Sequence, residues 1–315
     1  MRRASDNLRR PANWVVLLFF ASLIPMLQGA NPVWAQQPSL PAVNLGDTSF
    51  LDAIAYPGWV VESIGQGVQD NKTANNTGQV LPESTDVNSG AALTHIAWLS
   101  HARYLGAWYG AEVVLSPAYV DTGGHGVGHG LGDLTVGPVI LQWPKHSLFG
   151  MPIYQRAVLD IDAPVGKYSR YANVNIGNNA WDIHPYYAVT LFPVKKLETS
   201  WRIHYLWNGT NTDPPIRQSD HSTQAGQAIH FNATASYEIV KNVYVGANGY
   251  YLKQITDGRV NGLPLPNSKE QIGGIGPGLV VNKNKWFYFI NGYHEIGAKN
   301  ITEGNKLVLR VERVF

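Results

Sequence analysis

Between Ile229 and Ile239 the side chains alternate without a break. Ile229, Phe231, Ala233, Ala235, Tyr237 and Ile239 share one side, and His230, Asn232, Thr234, Ser236 and Glu238 share the other. Successive side chains of a strand point to opposite faces, so such a run makes one oily and one polar surface. A helix would mix both kinds of residue around its axis. The same period recurs elsewhere. Trp201, Ile203, Tyr205 and Trp207 oppose Arg202, His204 and Leu206; Asp160 and Asp162 alternate with Leu159, Ile161 and Ala163; Leu307, Leu309, Val311 and Phe315 oppose Val308, Arg310 and Glu312. Period-2 runs broken by turn clusters predict about twelve strands, near 58–70, 88–99, 107–119, 131–143, 149–163, 181–192, 199–208, 227–240, 243–255, 271–281, 286–296 and 305–315.

Alternation suits a soluble sandwich as well as a membrane barrel. Three features favour the barrel. Predicted connections alternate long (71–87, 120–130, 164–180, 209–226, 256–270, 297–304) and short (100–106, 144–148, 193–198, 241–242, 282–285), as outer-membrane barrels alternate external loops and periplasmic turns. Trp98, Trp108, Trp143, Phe149, Phe192, Trp201, Trp286 and Phe315 gather at the short-turn ends, where a girdle of amphipathic rings would meet the headgroups. The last strand closes on an aromatic, Phe315, a feature that resembles the recognition signal read by the outer-membrane barrel assembly machinery. The fold class expected is all-β: a transmembrane antiparallel up-and-down barrel of about twelve strands over 58–315. The competing expectation is a secreted β-sandwich.

The first 35 residues read as an export signal. Arg2, Arg3, Arg9 and Arg10 precede an apolar run at 14–27, and Val33-Trp34-Ala35 supplies a small-x-small cleavage pattern. An uncleaved anchor is the alternative, but the run is short for a membrane helix. Four of the 24 basic and one of the 22 acidic residues lie in this leader, leaving 20 and 21. No basic run survives, which argues against nucleic acid as a partner. Cysteine is absent from the sequence, so an exported chain of this length needs another source of stability. A closed barrel, with every strand paired, provides one. Residues 36–57 show no clear period and are expected in the periplasm or the lumen.

Several stretches resemble the family named for the meta-pathway of phenol degradation. They are Gly130-Leu131-Gly132-Asp133-Leu134, Asp162-Ala163-Pro164-Val165-Gly166-Lys167-Tyr168, Asn175-Ile176-Gly177-Asn178-Asn179-Ala180-Trp181, and the closing segment 286–315. These are glycine-rich turn and strand-entry signals, specific for architecture and not for chemistry. The resemblance implies a Gram-negative outer-membrane barrel, without a cofactor, associated with aromatic-compound catabolism. It also implies passage of small hydrophobic or aromatic solutes.

The residues give their own candidates. Arg156, Asp160, Asp162, Asp182, His184, Arg202, His204, His230, Glu238, Arg310 and Glu312 fall on the predicted inner face. A charge facing lipid there would cost about 2–4 kcal/mol near the midplane. They can steer solutes, fasten a plug or simply pair with one another. Tyr186, Tyr244, Tyr250 and Leu206 are expected to add apolar surface inside. Trp98, Trp108, Trp143, Phe192, Trp201, Trp286 and Phe315 are the candidate interface aromatics. The stretch 123–130 holds His125 and His129 among glycines. That spacing suits a metal only on a helix, which this composition disfavours; a mobile external loop is expected, with weak binding of a transition metal as the alternative. No G-x-S-x-G motif occurs, and Ser236 lies about 20 Å along its strand from His230. An uptake channel is the leading expectation, with a lipid-modifying enzyme and a structural or adhesive barrel as alternatives.

Overall fold

In the computed structural model, residues 38–84, 86–215 and 220–315 are described. The segment read as an export signal, 1–35, lies outside them. The described residues contain only strands, turns and irregular segments. No helix among them is long and apolar enough to cross a membrane, which leaves crossing by strands untouched.

The strands are β1 (Gly58–Thr73), β2 (Val87–Tyr104), β3 (Ala107–Leu115), β4 (Pro117–Asp121), β5 (Val127–Leu131), β6 (Leu134–Leu148), β7 (Met151–Ala163), β8 (Asp182–Val194), β9 (Leu197–Asn208), β10 (Thr223–Gln224), β11 (Ala228–Val240), β12 (Val243–Gln254), β13 (Arg259–Val260), β14 (Leu263–Pro264), β15 (Gln271–Lys283), β16 (Trp286–Lys299) and β17 (Thr302–Val314). β4 continues β3 along β2, while β5 runs on into β6, so these four pieces make two barrel staves. Each remaining long strand pairs antiparallel with its neighbours in sequence. β1 pairs with both β2 and β17, Glu62 lying opposite His95 on one side and Glu312 on the other. The ring is therefore closed, with twelve staves and no free edge.

One end of the barrel is built from two-residue turns at 105–106, 149–150, 195–196, 241–242 and 284–285. Leu105-Gly106, Phe149-Gly150 and Asn284-Lys285 hold both central residues at positive φ, the geometry that matches the twist of paired strands. The other end carries the longer connections, and here the structure corrects two expectations. The last connection is only residues 300–301, because β16 and β17 extend beyond the predicted strand ends and Asn300 takes the positive φ of 52°. The Gly-His stretch is not a free loop. His129 sits on β5 opposite Tyr119, and only residues 122–126 form the turn. Its glycines are there for a close approach: a Cβ on Gly126 or Gly128 would fall 2.8 Å from Asn173 or Val174 of the neighbouring loop.

Burial in this molecule is inverted relative to a soluble domain. On β11 the polar row is hidden, with His230 at 0% and Ser236 at 2% exposure, while Phe231 and Ile239 are 39% and 55% exposed. β9 and β17 repeat this: Trp201, Ile203, Leu307 and Leu309 face out, and Glu198, Arg202, Lys306 and Arg310 face in. Apolar outside and polar inside is the arrangement of a barrel whose solvent is hydrocarbon. The fold is that of an outer-membrane β-barrel.

Candidate functional site

The lumen is occupied by the segment that showed no period. Pro38 lies against Gly258 at the long-loop end, and Gly58 starts β1 at the short-turn end, so residues 38–57 run through the barrel as a strap. Its own backbone forms no ladder, and the inner wall satisfies its polar groups instead. The Gly46 N–H donates to Asn232 Oδ1 at 2.9 Å, and Tyr293 donates to the Gly46 carbonyl at 2.8 Å. The Leu51 N–H reaches Glu198 at 3.0 Å and the Ala53 N–H reaches Thr190 Oγ1 at 3.0 Å. Two ion pairs anchor it. Lys306 Nζ meets Asp47 Oδ1 at 3.0 Å, and Arg202 grips Asp52 with two nitrogens at 2.8 and 2.5 Å. Arg156 adds a bond to the Asp52 carbonyl at 3.0 Å.

The strap packs against β11–β17 and leaves space on the other side. Phe50 is fully buried with Val280 and Phe289, and Leu45 packs with Tyr250 and Tyr293. Gly46 is required at its position: φ is +82°, and a Cβ would sit 2.6–2.9 Å from Tyr293 and Tyr250. Lower down, Ala53 crosses to the opposite wall among Leu99, Ile140, Tyr154 and Ala188. Between strap and wall remains a cavity of about 230 Å³. One part of its lining is apolar (Leu93, Ala97, Leu99, Ile140) and another is charged (Glu62, His95, Glu112, Arg156, Arg310). The charges are mostly paired. His95 bridges Glu62 and Glu112 through its two ring nitrogens, and Arg310 meets Glu62 at 3.2 Å.

The long-loop end of the cavity is built by the glycine-rich segments. Asp133 accepts the Gly166 N–H at 2.9 Å on one oxygen and the Asn178 N–H at 2.7 Å on the other. Gly166 and Gly177 approach so closely that a Cβ on either would meet backbone at 2.7–2.9 Å. This latch folds residues 164–180 inward, and Ile176 and Asn178 line the cavity.

Of the residues singled out from the sequence, Arg156, Asp160, Asp162, His184, Arg202, His204, Arg310 and Glu312 all line this cavity. His184 pairs with Asp162 at 2.9 Å. Asp182, 1% exposed, lies on the inner wall at the long-loop end, and His230 stacks behind His204. Glu238 stands apart at the short-turn rim, accepting the Asn242 N–H. Tyr186 lies tilted against His204, Leu206 is buried, Tyr250 meets Tyr293 and Tyr244 packs beside Phe289. Outside, Trp143, Tyr187 and Trp201 form a row at ring spacings of 6.5 and 6.0 Å. Trp59 joins Trp98 at 6.3 Å, while Trp286 and Phe315 flank Arg313. Two aromatics face the other way. Trp108 shares the inner face of β3 with Glu112 and packs on Tyr56, and Phe192 shares that of β8 with Thr190 and packs on Tyr154. Their place along the strand fits a girdle, but their parity turns them inward. Among the described residues no group of three or more His, Asp or Glu side chains is placed to hold a metal ion.

The sequence reading did not single out Asp47, Asp52, Glu62, His95 or Glu112. Asp52 has no local signal, since its partner is 150 residues away. His95 was hidden because the inner face of β2 is otherwise apolar, with Ala91, Leu93 and Ala97 beside it.

The chain superposes on an outer-membrane channel of Pseudomonas putida F1 with a TM-score of 0.74 at 16% identity, over 87% of this chain and all of that one. The monoaromatic hydrocarbon channel TodX, in a deletion mutant, gives a TM-score of 0.45 at 8% identity over 83% of this chain and 91% of that one. The first likeness establishes the fold; the second is too loose to bear on function. Among curated proteins, none matches the chain in sequence. A family model does match, over residues 69–311, and by that match the chain belongs to the family described as "Putative MetA-pathway of phenol degradation".

Proposed function

We propose that this protein is an outer-membrane channel for the uptake of small hydrophobic compounds, single-ring aromatics among them. The observation that carries this reading is the divided lumen. A dry cavity of about 150 Å³ holds a benzene ring, so the 230 Å³ space beside the strap takes one such ring. Its apolar strip on β2 and β6 offers the ring a surface, and the strap fills the room a wide water pore would need. Family membership and a fold shared with an outer-membrane channel agree with this.

In this reading the long loops face outward and the two-residue turns face the periplasm. The aromatic row of Trp143, Tyr187 and Trp201 settles at the inner headgroups. Residues 1–35 export the chain, and the final strand addresses the assembly machinery. Selectivity comes from lumen polarity and shape, without a covalent step. An enzyme reading finds little support in the inner wall, where Ser200 and Ser236 both donate to Glu198.

The test is entry into cells with an intact outer membrane, which resists apolar solutes. At low external concentration, labelled toluene enters cells carrying the protein several-fold faster than cells lacking it. Equal entry rates would leave a structural barrel, plugged by its strap, as the better reading.

A further inference from the structure

At the long-loop end, the outer face of β12, β15 and β16 carries a row of polar side chains. Lys253 lies opposite Gln271, and Gln271 lies opposite Lys299. Neighbouring strands are about 4.8 Å apart, which sets the two lysine backbones roughly 10 Å from each other. Lys299 owes its place to a bulge. One extra residue at Gly297, with φ of +73°, resets the alternation after Ile296 and turns Lys299 outward. The Gln271 amide donates to the Gly297 carbonyl at 3.1 Å and so fixes the bulge. Lys269 is exposed two residues before Gln271, and Asn300, just past β16, donates to its carbonyl at 2.9 Å. Among the described residues no ion pair or hydrogen bond engages these three ammonium groups, and Glu303 of β17 is taken by Lys72 at 3.8 Å. The next outward row is apolar: Phe231, Tyr251, Gly273 and Ile296 are successive cross-strand partners. Phe231 and Ile296 are well exposed. At the same end of β8 and β9 the outer face carries Ile183 and Trp207 instead of lysines.

We propose that this face docks a phosphorylated lipid of the outer leaflet, with Lys253, Lys269 and Lys299 on its phosphate and its acyl chains along Phe231, Tyr251 and Ile296. The proposal rests on the outward placing of the long loops and on no choice of solute. Each ammonium is a compact charge with three donors, suited to phosphate oxygens. Long, free lysine stems reach across the row and converge on one phosphate, which also relieves their mutual repulsion. The apolar row directly beneath lies where the chains leave the headgroup, and a free phosphate gains nothing from it. A zwitterionic headgroup would bring a further ammonium against the lysines. The short-turn rim is basic too, through Lys195, Lys196, Lys241, Lys283 and Lys285, but those are spread turn by turn around the ring.

Lipid A with both its phosphates is the probe. Full-length protein in neutral detergent is titrated with it in the presence of EDTA, so that no divalent cation bridges, and native mass spectrometry reads the lipid retained. Dephosphorylated lipid A and phosphatidylglycerol are titrated alongside, and inorganic phosphate is added as a competitor. The barrel retains phosphorylated lipid A in preference to the other two lipids, and inorganic phosphate does not displace it. A lysine near an anionic lipid contributes about fivefold, so Lys253→Gln, Lys269→Gln and Lys299→Gln together weaken binding about a hundredfold. Lys195→Gln with Lys196→Gln, at a short turn, leaves it unchanged. Heat-modifiable electrophoretic mobility verifies that each variant is a closed barrel. Equal binding by the triple variant, or equal retention of lipid A with and without its phosphates, overturns the proposal. Displacement by inorganic phosphate would leave only an anion site, and preference for phosphatidylglycerol would assign this face to the inner leaflet; either result overturns it as well. Lipid A held by these lysines in a barrel that admits no toluene retains the docking surface and removes the channel reading.

Discussion

The inner wall from β11 to β17 grips the strap, whereas the wall from β1 to β8 stands away from much of it. On the gripping side β15 presents Gly274, Gly276 and Gly278 to the lumen. A Cβ on Gly278 would lie 2.7 Å from the Phe50 ring, and one on Gly274 would meet the Tyr250 ring. That smooth wall lets Phe50 and Leu45 pack on Val280, Phe289 and Tyr250. On the open side the inner positions of β1 to β3 hold long ionisable side chains, Glu62, His95 and Glu112, engaged with one another, while Arg156 alone reaches across to the Asp52 carbonyl. Side chains committed to their own ion pairs cannot collapse onto the strap. The size and charge of inward residues thus decide which part of one lumen closes and which keeps a cavity.

The largest expected effect comes from breaking the anchor that spans the two sides. In Asp52→Ala, Arg202 loses a buried bidentate partner, at a cost of about 3–5 kcal/mol. The lower strap should leave its seat, and single-channel ion conductance should rise. Unchanged conductance through a stable barrel would mean that the gripping wall holds the strap alone. Gly46→Val attacks that wall directly. Left-handed strain and overpacking against Tyr293 together cost about 2–3 kcal/mol. Hydrogen exchange at residues 45–51 should quicken while exchange in β1 and β2 stays as it was. Equal protection in the variant would show that the close approach at Gly46 is not what seats the strap.

Most of the barrel could be read from the chain, because lipid outside and polar lumen inside force a period of two on each stave. The strands 199–208, 243–255 and 227–240 lie within two residues of β9, β12 and β11. Parity was harder at strand ends. Trp108 and Phe192 stand where a girdle residue should, yet each shares its face with buried Glu112 or Thr190. The 120–130 stretch was misread because its glycines signal a close neighbour as well as a turn, and the neighbour, Val174, is remote in sequence. The strap showed only as a segment without period, expected in the periplasm or the lumen, and its contacts left no trace. Its partners are contributed one at a time by different staves, from Gln142 to Lys306, and such contacts impose no period.

Two smaller tests sharpen the open side and the top of the strap. Asp133→Ala leaves the Gly166 and Asn178 N–H groups without their acceptor, a cost of about 1–3 kcal/mol. Residues 164–180 should then swing off the cavity, and entry of toluene should become less selective against larger aromatics. Unaltered size selectivity would show that the latch does not shape the entrance.

The smallest effect is a pH dependence at the strap's upper end. In the loop before β15, burial pushes the Glu270 carboxyl up from its ordinary 4.5 to about 8, and one of its oxygens accepts the Leu40 N–H at 3.3 Å. The folded protein therefore holds this proton more tightly than the unfolded chain does. The contribution is full below about pH 4.5 and is lost as pH rises through about 8. Between pH 6 and 9, exchange at the Leu40 amide, corrected for its intrinsic rate, should accelerate. In Glu270→Gln, which cannot ionise, the corrected rate should stay flat, as should exchange at residues 45–51 in either protein. A slope that persists in the glutamine variant would place the titrating group elsewhere and detach the strap's upper end from Glu270.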